Sequence, residues 1–298
     1  MSAIPPADRP LDASIVAHIL TDQFAELSAS KVVPFGGGWN NDMFLVDDEW
    51  LFRFPRREQD VEFFEREVAL LPLVGKVIGV RIPVIEKLGA PGPHFPYPFG
   101  AYRLITGVAS DEAPFLDESF AVELGGALSR LHAMDVSQFP PNPDGEWDTP
   151  EDRQRWLLSD VELVRSRTPD DIHDLVEPYL QGSVAVPVDP GLHCVIHNDI
   201  GDDHLIVDPS TGRLTGIIDW ADMLIGDAAR DFVPLVSHGD SLFDRVIRHY
   251  DPPVESGFVE RVNWMARVLH LCWLRQADPG EDLRKHQVWL RRTFGLHD

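Results

Sequence analysis

The residues best suited to chemistry are His197-Asn198-Asp199-Ile200-Gly201-Asp202-Asp203-His204 and, after a short interval, Leu214-Thr215-Gly216-Ile217-Ile218-Asp219-Trp220. They read as a strand, a polar loop, a second strand, a turn at Pro209–Gly212 and a third strand ending in aspartate. A hairpin of this length is expected to bring Asp199, His204 and Asp219 into one small volume. Moving a phosphoryl group onto a hydroxyl needs a carboxylate that orients the alcohol and accepts its proton. It also needs ligands that hold a divalent cation on the β- and γ-phosphates. A carboxylate on the loop and another at a strand end, bracketing a histidine, supply that set. Singly, each aspartate also fits a turn or a cap; together, with the hairpin between them, they point to a site. A metal-dependent hydrolase could use an Asp/His cluster too, but such sites usually need more ligands than this segment offers.

A second set lies near the N-terminus. Phe35-Gly36-Gly37-Gly38-Trp39-Asn40-Asn41 separates two predicted strands, and flexible backbone N–H groups there suit phosphate oxygens. Any hairpin may use glycine and asparagine, so this stretch carries little alone. It contains no Walker sequence, which argues against a P-loop fold. In Trp50-Leu51-Phe52-Arg53-Phe54, strand alternation puts Phe52 and Phe54 on the face opposite Arg53.

The elements that must position these residues follow from periodicity. Residues 11–28 carry Leu11, Ile15, Ile19, Leu20, Phe24 and Leu27 at helical spacing. VVPF, MFLV and WLFRF are β-rich runs that predict three antiparallel strands, and 58–74 returns to helical spacing. The Pro/Gly-rich GAPGPHFPYPFG leads to a further strand, AYRLI. Beyond Thr106-Gly107 helices are expected at about 117–134, 151–166, 170–181, 228–237, 241–250, 256–275 and 281–294, around one β-rich island at 193–220. A small β-rich lobe and a larger helical one imply a cleft, where ligands commonly bind.

The 197–220 segment resembles the aminoglycoside phosphotransferase family, whose loop reads H-[GN]-D-x-x-x-x-[NH] and is followed by I-D-[FW]; the similarity is nearest to the aminoglycoside 2″-kinases and the macrolide kinases. The resemblance spans nearly the whole chain and is strongest at 193–232. It implies an α+β, bilobal, protein-kinase-like fold, with a nucleotide-binding lobe at 1–105 and a catalytic and acceptor-binding lobe at 106–298. Asp199 would be the catalytic base, and His204 and Asp219 the ligands of Mg2+. His204 stands where most members carry asparagine, and its nitrogen makes Mn2+ an alternative ion. His197, Asn198 and Asp231 (in Gly-Asp227-Ala-Ala-Arg-Asp231-Phe) would support the loop.

Arg53 would occupy the place of the family's phosphate-binding lysine, as in the R-[IF]-P-R-R stretch of the macrolide kinases. Glu67 would pair with it, Glu65 being shifted in helical phase. Gly37, Gly38 and Asn40 would cover the phosphates. Tyr102, Leu104 and Thr106 would form the hinge that binds the purine of ATP or GTP. Asp222, Asp240 and Trp273 are the acceptor-side candidates, although Ser237-His238 stands where a 2″-kinase carries acid. The expected acceptor is an antibiotic-like alcohol, macrolide or aminoglycoside. A metabolite alcohol, or a nucleotide-binding relative without turnover, is the alternative.

The bulk properties agree with such a reading. The 298 residues carry 26 Lys and Arg against 49 Asp and Glu, a formal charge of −23. That field disfavours nucleic acid and anionic membrane surfaces and favours a cationic small molecule. No apolar run approaches the roughly 20 residues of a bilayer span, and the start, MSAIPPADRPLDAS, lacks the pattern of a secretion signal. A cytoplasmic monomer is the expectation. Cys194 and Cys272 are two separated thiols in apolar surroundings, expected to be buried and unpaired.

Overall fold

Three short apolar runs become β1 (Val32–Gly37), β2 (Asn41–Val46) and β3 (Trp50–Pro55), paired antiparallel in sequence order. The turn from β2 to β3 uses Asp47 and Asp48, both in the left-handed region that aspartate tolerates (φ 53° and 57°). β4 (Lys87–Gly89) and β5 (Phe99–Arg103) complete a five-stranded sheet of order β1-β2-β3-β5-β4. These features come from a computed structural model, which describes residues 5–27, 30–142, 150–187, 191–237 and 242–296.

One face of this sheet is covered by α1 (Ala13–Gln23). The helix starts at Asp12, whose Oδ1 accepts the N–H groups of Ser14 and Ile15 at 2.8 and 2.9 Å. It buries Val16, Ile19 and Leu20 in a core shared with Phe52, Phe54 and Phe99. Because strand side chains alternate, Arg53 is turned away from that core. α2 (Val61–Gly75) buries Phe64, Glu67, Leu71 and Val74, a single stripe at helical spacing with one carboxylate in it.

The chain divides into two compact units. The first runs to Pro114 and takes back His204–Ala221, so the sheet just described shares a unit with β6 (Val108–Ala109), β8 (Leu205–Asp208) and β9 (Arg213–Ile217). These three strands form their own sheet, order β6-β8-β9. β9 lies close to the segment after β5: a Cβ at Gly216 would fall 2.5 Å from Ile105 Cγ2 and 2.9 Å from Arg81 O, so only glycine fits. Ile217 N donates to Arg81 O at 3.0 Å, fixing that approach.

The second unit is Phe115–Asp203 with the chain from Asp222 onward. It contains α3 (Glu118–His132), α4 (Pro150–Leu157), α5 (Val161–Arg167), α6 (His173–Leu180), α7 (Val233–Ser237), α8 (Leu242–Ile247), α9 (Phe258–Gln276) and α10 (Glu281–Thr293). α9 is central; Trp264, Val268, Leu271 and Leu274 pack with Leu157, Val164, Val176 and Leu290. A two-stranded antiparallel ribbon joins β7 (His193–Ile196) to β10 (Leu224–Asp227).

Several helices are shorter than their periodicity predicts. The stretch 151–166 is broken by a 3-10 turn, Leu158–Asp160, where Asp160 leaves the helical region (φ −149°, ψ 59°). The 228–237 stretch opens as a 3-10 turn, Ala228–Phe232, capped by Asp227, before α7 begins. β10 is a strand that the apolar spacing did not disclose. Neither Cys194 nor Cys272 is in a disulfide, and Cys194 is half-buried rather than buried.

Candidate active site

In the first unit the best-defined polar feature is a buried ion pair. Arg53 Nη1 and Nη2 donate to Glu67 Oε1 and Oε2 at 2.9 and 2.7 Å, a two-pronged match of guanidinium to carboxylate. Burial works against both charges. For Arg53 the attraction and hydrogen bonds of Glu67 outweigh it and hold the guanidinium pKa above its ordinary value. For Glu67 burial leads and lifts the pKa, with Arg53 opposing. Two short parallel hydrogen bonds are the geometry of an ionised pair, and we take both groups as charged. Glu65, two residues away, is exposed on the other side of α2.

Beside this pair, the end of β9 presents Asp219. Its backbone is left-handed (φ 60°), an uncommon conformation for a residue with a side chain. The neighbours impose it: Ile218 N donates to His204 O at 2.9 Å, and the buried Trp220 ring donates Nε1–H to Ile217 O at 2.9 Å. Trp220 N also donates to Glu67. The Asp219 carboxylate remains half exposed, and His204 Nε2 lies 3.6 Å from its Oδ2. Strain held at a residue with an exposed, reactive group is typical of functional positions.

One imidazole nitrogen and one carboxylate suit a small divalent ion that keeps waters and takes its remaining oxygens from phosphate. Among the described residues no group of three or more His, Cys, Asp or Glu is arranged to hold a metal.

Gly37 closes β1, and Gly38 N donates to Asn41 O at 3.0 Å, so the glycine-rich turn is hydrogen-bonded across its mouth; Asn40 O accepts from Arg56 N at 2.8 Å. Tyr102 is buried at the end of β5, and burial pushes its phenol up to about 12. Leu104 differs from the hinge expectation in one respect. Its N–H donates to Glu49 O and its carbonyl accepts from Arg81 Nη2, so both of its backbone groups already serve the protein. Thr106 is exposed, with its carbonyl accepting from Thr215 Oγ1 at 3.0 Å.

The second unit carries Asp199 on the loop after β7. Asn198 is left-handed (φ 69°) and is held from two sides. Its N–H donates to Asp231 Oδ1 at 2.8 Å, and its side-chain Oδ1 accepts from Arg230 Nε at 3.3 Å. His197, fully buried, donates its N–H to Asp231 Oδ2 at 2.9 Å, and its Nδ1 accepts from Asp199 N at 3.3 Å. Asp231 is itself buried, which raises its pKa. Hydrogen bonding and charge from His132, with His197 adding to them, outweigh burial and hold it below the usual carboxylate value. Arg230 is pulled the other way: burial and the nearby Arg153 lower its pKa, while Asp199, Asp231 and Asp222 oppose them.

The acceptor-side candidates are less concentrated. Asp222 is exposed just past the unit boundary. Trp273 is half-buried on α9, edge-on to His270 with centroids 5.0 Å apart and tilted over His286 at 5.4 Å. Asp240 and His238 lie outside the described residues. Of the predicted set, the structure brings Arg53 to Glu67, His204 to Asp219, and His197, Asn198 and Asp231 around the backbone at Asp199. His132 and Arg230 were not anticipated. A histidine near the end of an amphipathic helix carries no sequence signal until its carboxylate partner is known.

Comparison with known proteins places these features in context. A sequence family described as the phosphotransferase enzyme family matches residues 31–258. A curated relative, the uncharacterized protein YcbJ of Bacillus subtilis (strain 168), is 35% identical over 63 residues, 21% of this chain and 20% of that protein. The matching stretch thus spans a fifth of that relative's length. Among solved structures, the GDP complex of wild-type aminoglycoside 2′-phosphotransferase-IIIa is 24% identical with a TM-score of 0.71, covering 96% of this chain and 97% of that one. The apoenzyme of macrolide 2′-phosphotransferase MphH from Brachybacterium faecium is 17% identical with a TM-score of 0.63, over 97% and 100% of the two chains. The streptomycin–ATP–APH(2″)-IIa ternary complex is 19% identical with a TM-score of 0.59, over 97% of each. At these identities the likeness is one of fold, a kinase-like α+β architecture.

Proposed function

The chain belongs to the phosphotransferase enzyme family, and from that premise we propose that it moves the γ-phosphoryl group of ATP or GTP onto a hydroxyl of an antibiotic-like small molecule, a macrolide or an aminoglycoside. The observation that carries this reading is the pair of strained, anchored positions. Asp231 fixes the backbone leading into Asp199, and the same loop runs on into His204, which faces Asp219.

In the reaction, Asp199 accepts the proton of the acceptor O–H as that oxygen bonds to the γ-phosphorus, while the bond from phosphorus to the β-bridging oxygen breaks and ADP or GDP leaves. Arg53, steadied by Glu67, neutralises phosphate charge. Gly37, Gly38 and Asn40 offer backbone groups to the phosphates, and Tyr102 to Thr106 border the purine. His204 and Asp219 would hold Mg2+, which supplies charge neutralisation of the β- and γ-oxygens when bound. Residues 1–105 bind the nucleotide in this reading. Residues 106–298 supply the base, the acceptor contacts and the metal ligands.

The net charge of −23 favours the cationic antibiotics named for the structural relatives. Asp222, Asp240 and Trp273 are the side chains assigned to them. The protein is taken to act as a cytoplasmic monomer. A phosphate-transfer screen with ATP and GTP across macrolides, aminoglycosides and metabolite alcohols tests the assignment. Asp199→Ala should abolish transfer while sparing nucleotide affinity. Nucleotide binding without turnover on the whole panel would favour a non-catalytic relative instead.

A further inference from the structure

α3 carries Gly125, Ser129 and His132 on one face, at positions i, i+4 and i+7. The chain beyond α8 runs directly over that face. A Cβ at Gly125 would lie 2.6 Å from Val246 O and 2.9 Å from His249 Cβ, so only glycine permits the approach. Ser129 Oγ accepts the N–H of Asp251 at 2.9 Å, and Arg245 Nε donates to Glu118 Oε2 at 3.0 Å. Held between these ties, Tyr250 places its hydroxyl 2.8 Å from His132 Nδ1. Its ring is edge-on to Phe232, with centroids 5.0 Å apart, and stacked on Phe258 at 6.4 Å. The other nitrogen of His132, Nε2, lies 3.1 Å from Asp231 Oδ2. That carboxylate is the acceptor for the backbone N–H groups of His197 and Asn198.

We propose that Tyr250 is a positioning residue, which acts through His132 to fix Asp231 and through it the backbone that presents Asp199. An ionised carboxylate only accepts, so His132 must carry a proton on Nε2. The Tyr250 hydroxyl can donate to an unprotonated Nδ1 or accept from a protonated one, so it pins the ring in either state with the Nε2 proton on Asp231. Without it, the ring is free to turn away from the carboxylate. Asp231 would lose one of its three donors, and the left-handed backbone at Asn198 would be held less firmly. The catalytic consequence rests on Asp199 being the base proposed above; the structural relay does not.

Tyr250→Phe keeps the ring packing and removes only the hydroxyl. Hydrogen–deuterium exchange at the amides of His197 and Asn198 should quicken by about tenfold, with exchange in α9 unchanged. Turnover should fall by about fivefold to tenfold at unchanged nucleotide Kd, since misplacement of the base affects the chemical step. His132→Gln keeps an N–H donor near the position of Nε2 and should retain more turnover than His132→Leu. Unaltered exchange at both amides in Tyr250→Phe overturns the relay, whether or not an acceptor has been found. Faster exchange with turnover within twofold of wild type overturns the positioning role.

Discussion

Glu67→Ala offers the sharpest test of how the nucleotide side is built. The substitution leaves the Arg53 guanidinium, in a residue only 6% exposed, without the carboxylate that grips both of its terminal nitrogens. Breaking a buried pair by removing one partner typically costs about 3–5 kcal/mol, because the remaining charge stays desolvated. Native stabilities are on the order of 5–15 kcal/mol, so this is a large fraction. With a urea m-value of about 3 kcal/mol per M, the unfolding midpoint should drop by about 1–1.7 M. The double variant Arg53→Met/Glu67→Leu removes both charges from the same apolar surroundings and should recover most of that loss. It should bind nucleotide poorly all the same. A drop of less than about 0.3 M in Glu67→Ala, or a double variant no better than the single, would refute the claim that the pair is buried, charged and mutually dependent.

Asp231 makes a pH-dependent contribution. Its folded pKa lies below the unfolded carboxylate value, so its stabilisation is present above about pH 4 and is lost as pH falls through the folded pKa. The difference in thermal midpoint between wild type and Asp231→Asn should therefore be largest near neutrality and shrink in acid; a constant difference would argue against an ionised Asp231. Asp219→Ala should remove the metal dependence of nucleotide binding, read by titration with and without Mg2+, while His204 alone leaves weak residual dependence. Because His204 offers nitrogen, Mn2+ should support transfer at least as well as Mg2+ in an assay run over a range of each ion. Inactivity with Mn2+ throughout that range would remove His204 from the ligand set.

What the sequence discloses depends on how local the physics is. Phe52 and Phe54 alternate with Arg53, so the strand itself assigns the arginine to the face away from the α1 core, where the structure puts it. Glu67 sits within the apolar stripe Phe64, Leu71 and Val74, a misplaced charge that only a buried cation explains. The hairpin of β8 and β9 follows from its two β-rich runs and the turn between them. Partnership across long separations is not written so locally. Nothing in Leu224–Asp227 announces pairing with His193–Ile196, because four residues give too short a pattern to tell a strand from a loop. The break in 151–166 is equally hidden: its apolar periodicity continues across Leu158–Asp160 while Asp160 leaves the helical region. His132 becomes meaningful only when Asp231, 99 residues later, is placed beside it.

The excursion of His204–Ala221 into the first unit means that, among the described residues, the chain passes between the units three times, at 114/115, 203/204 and 221/222. No single cut can therefore liberate either unit intact. Truncation after Pro114 would strip β6 of the strand it pairs with, since Val108 meets Val207 and Ala109 meets Ile206. During synthesis the N-terminal sheet can assemble early, but its unit stays incomplete until about a hundred further residues have emerged and β8 and β9 return to join it.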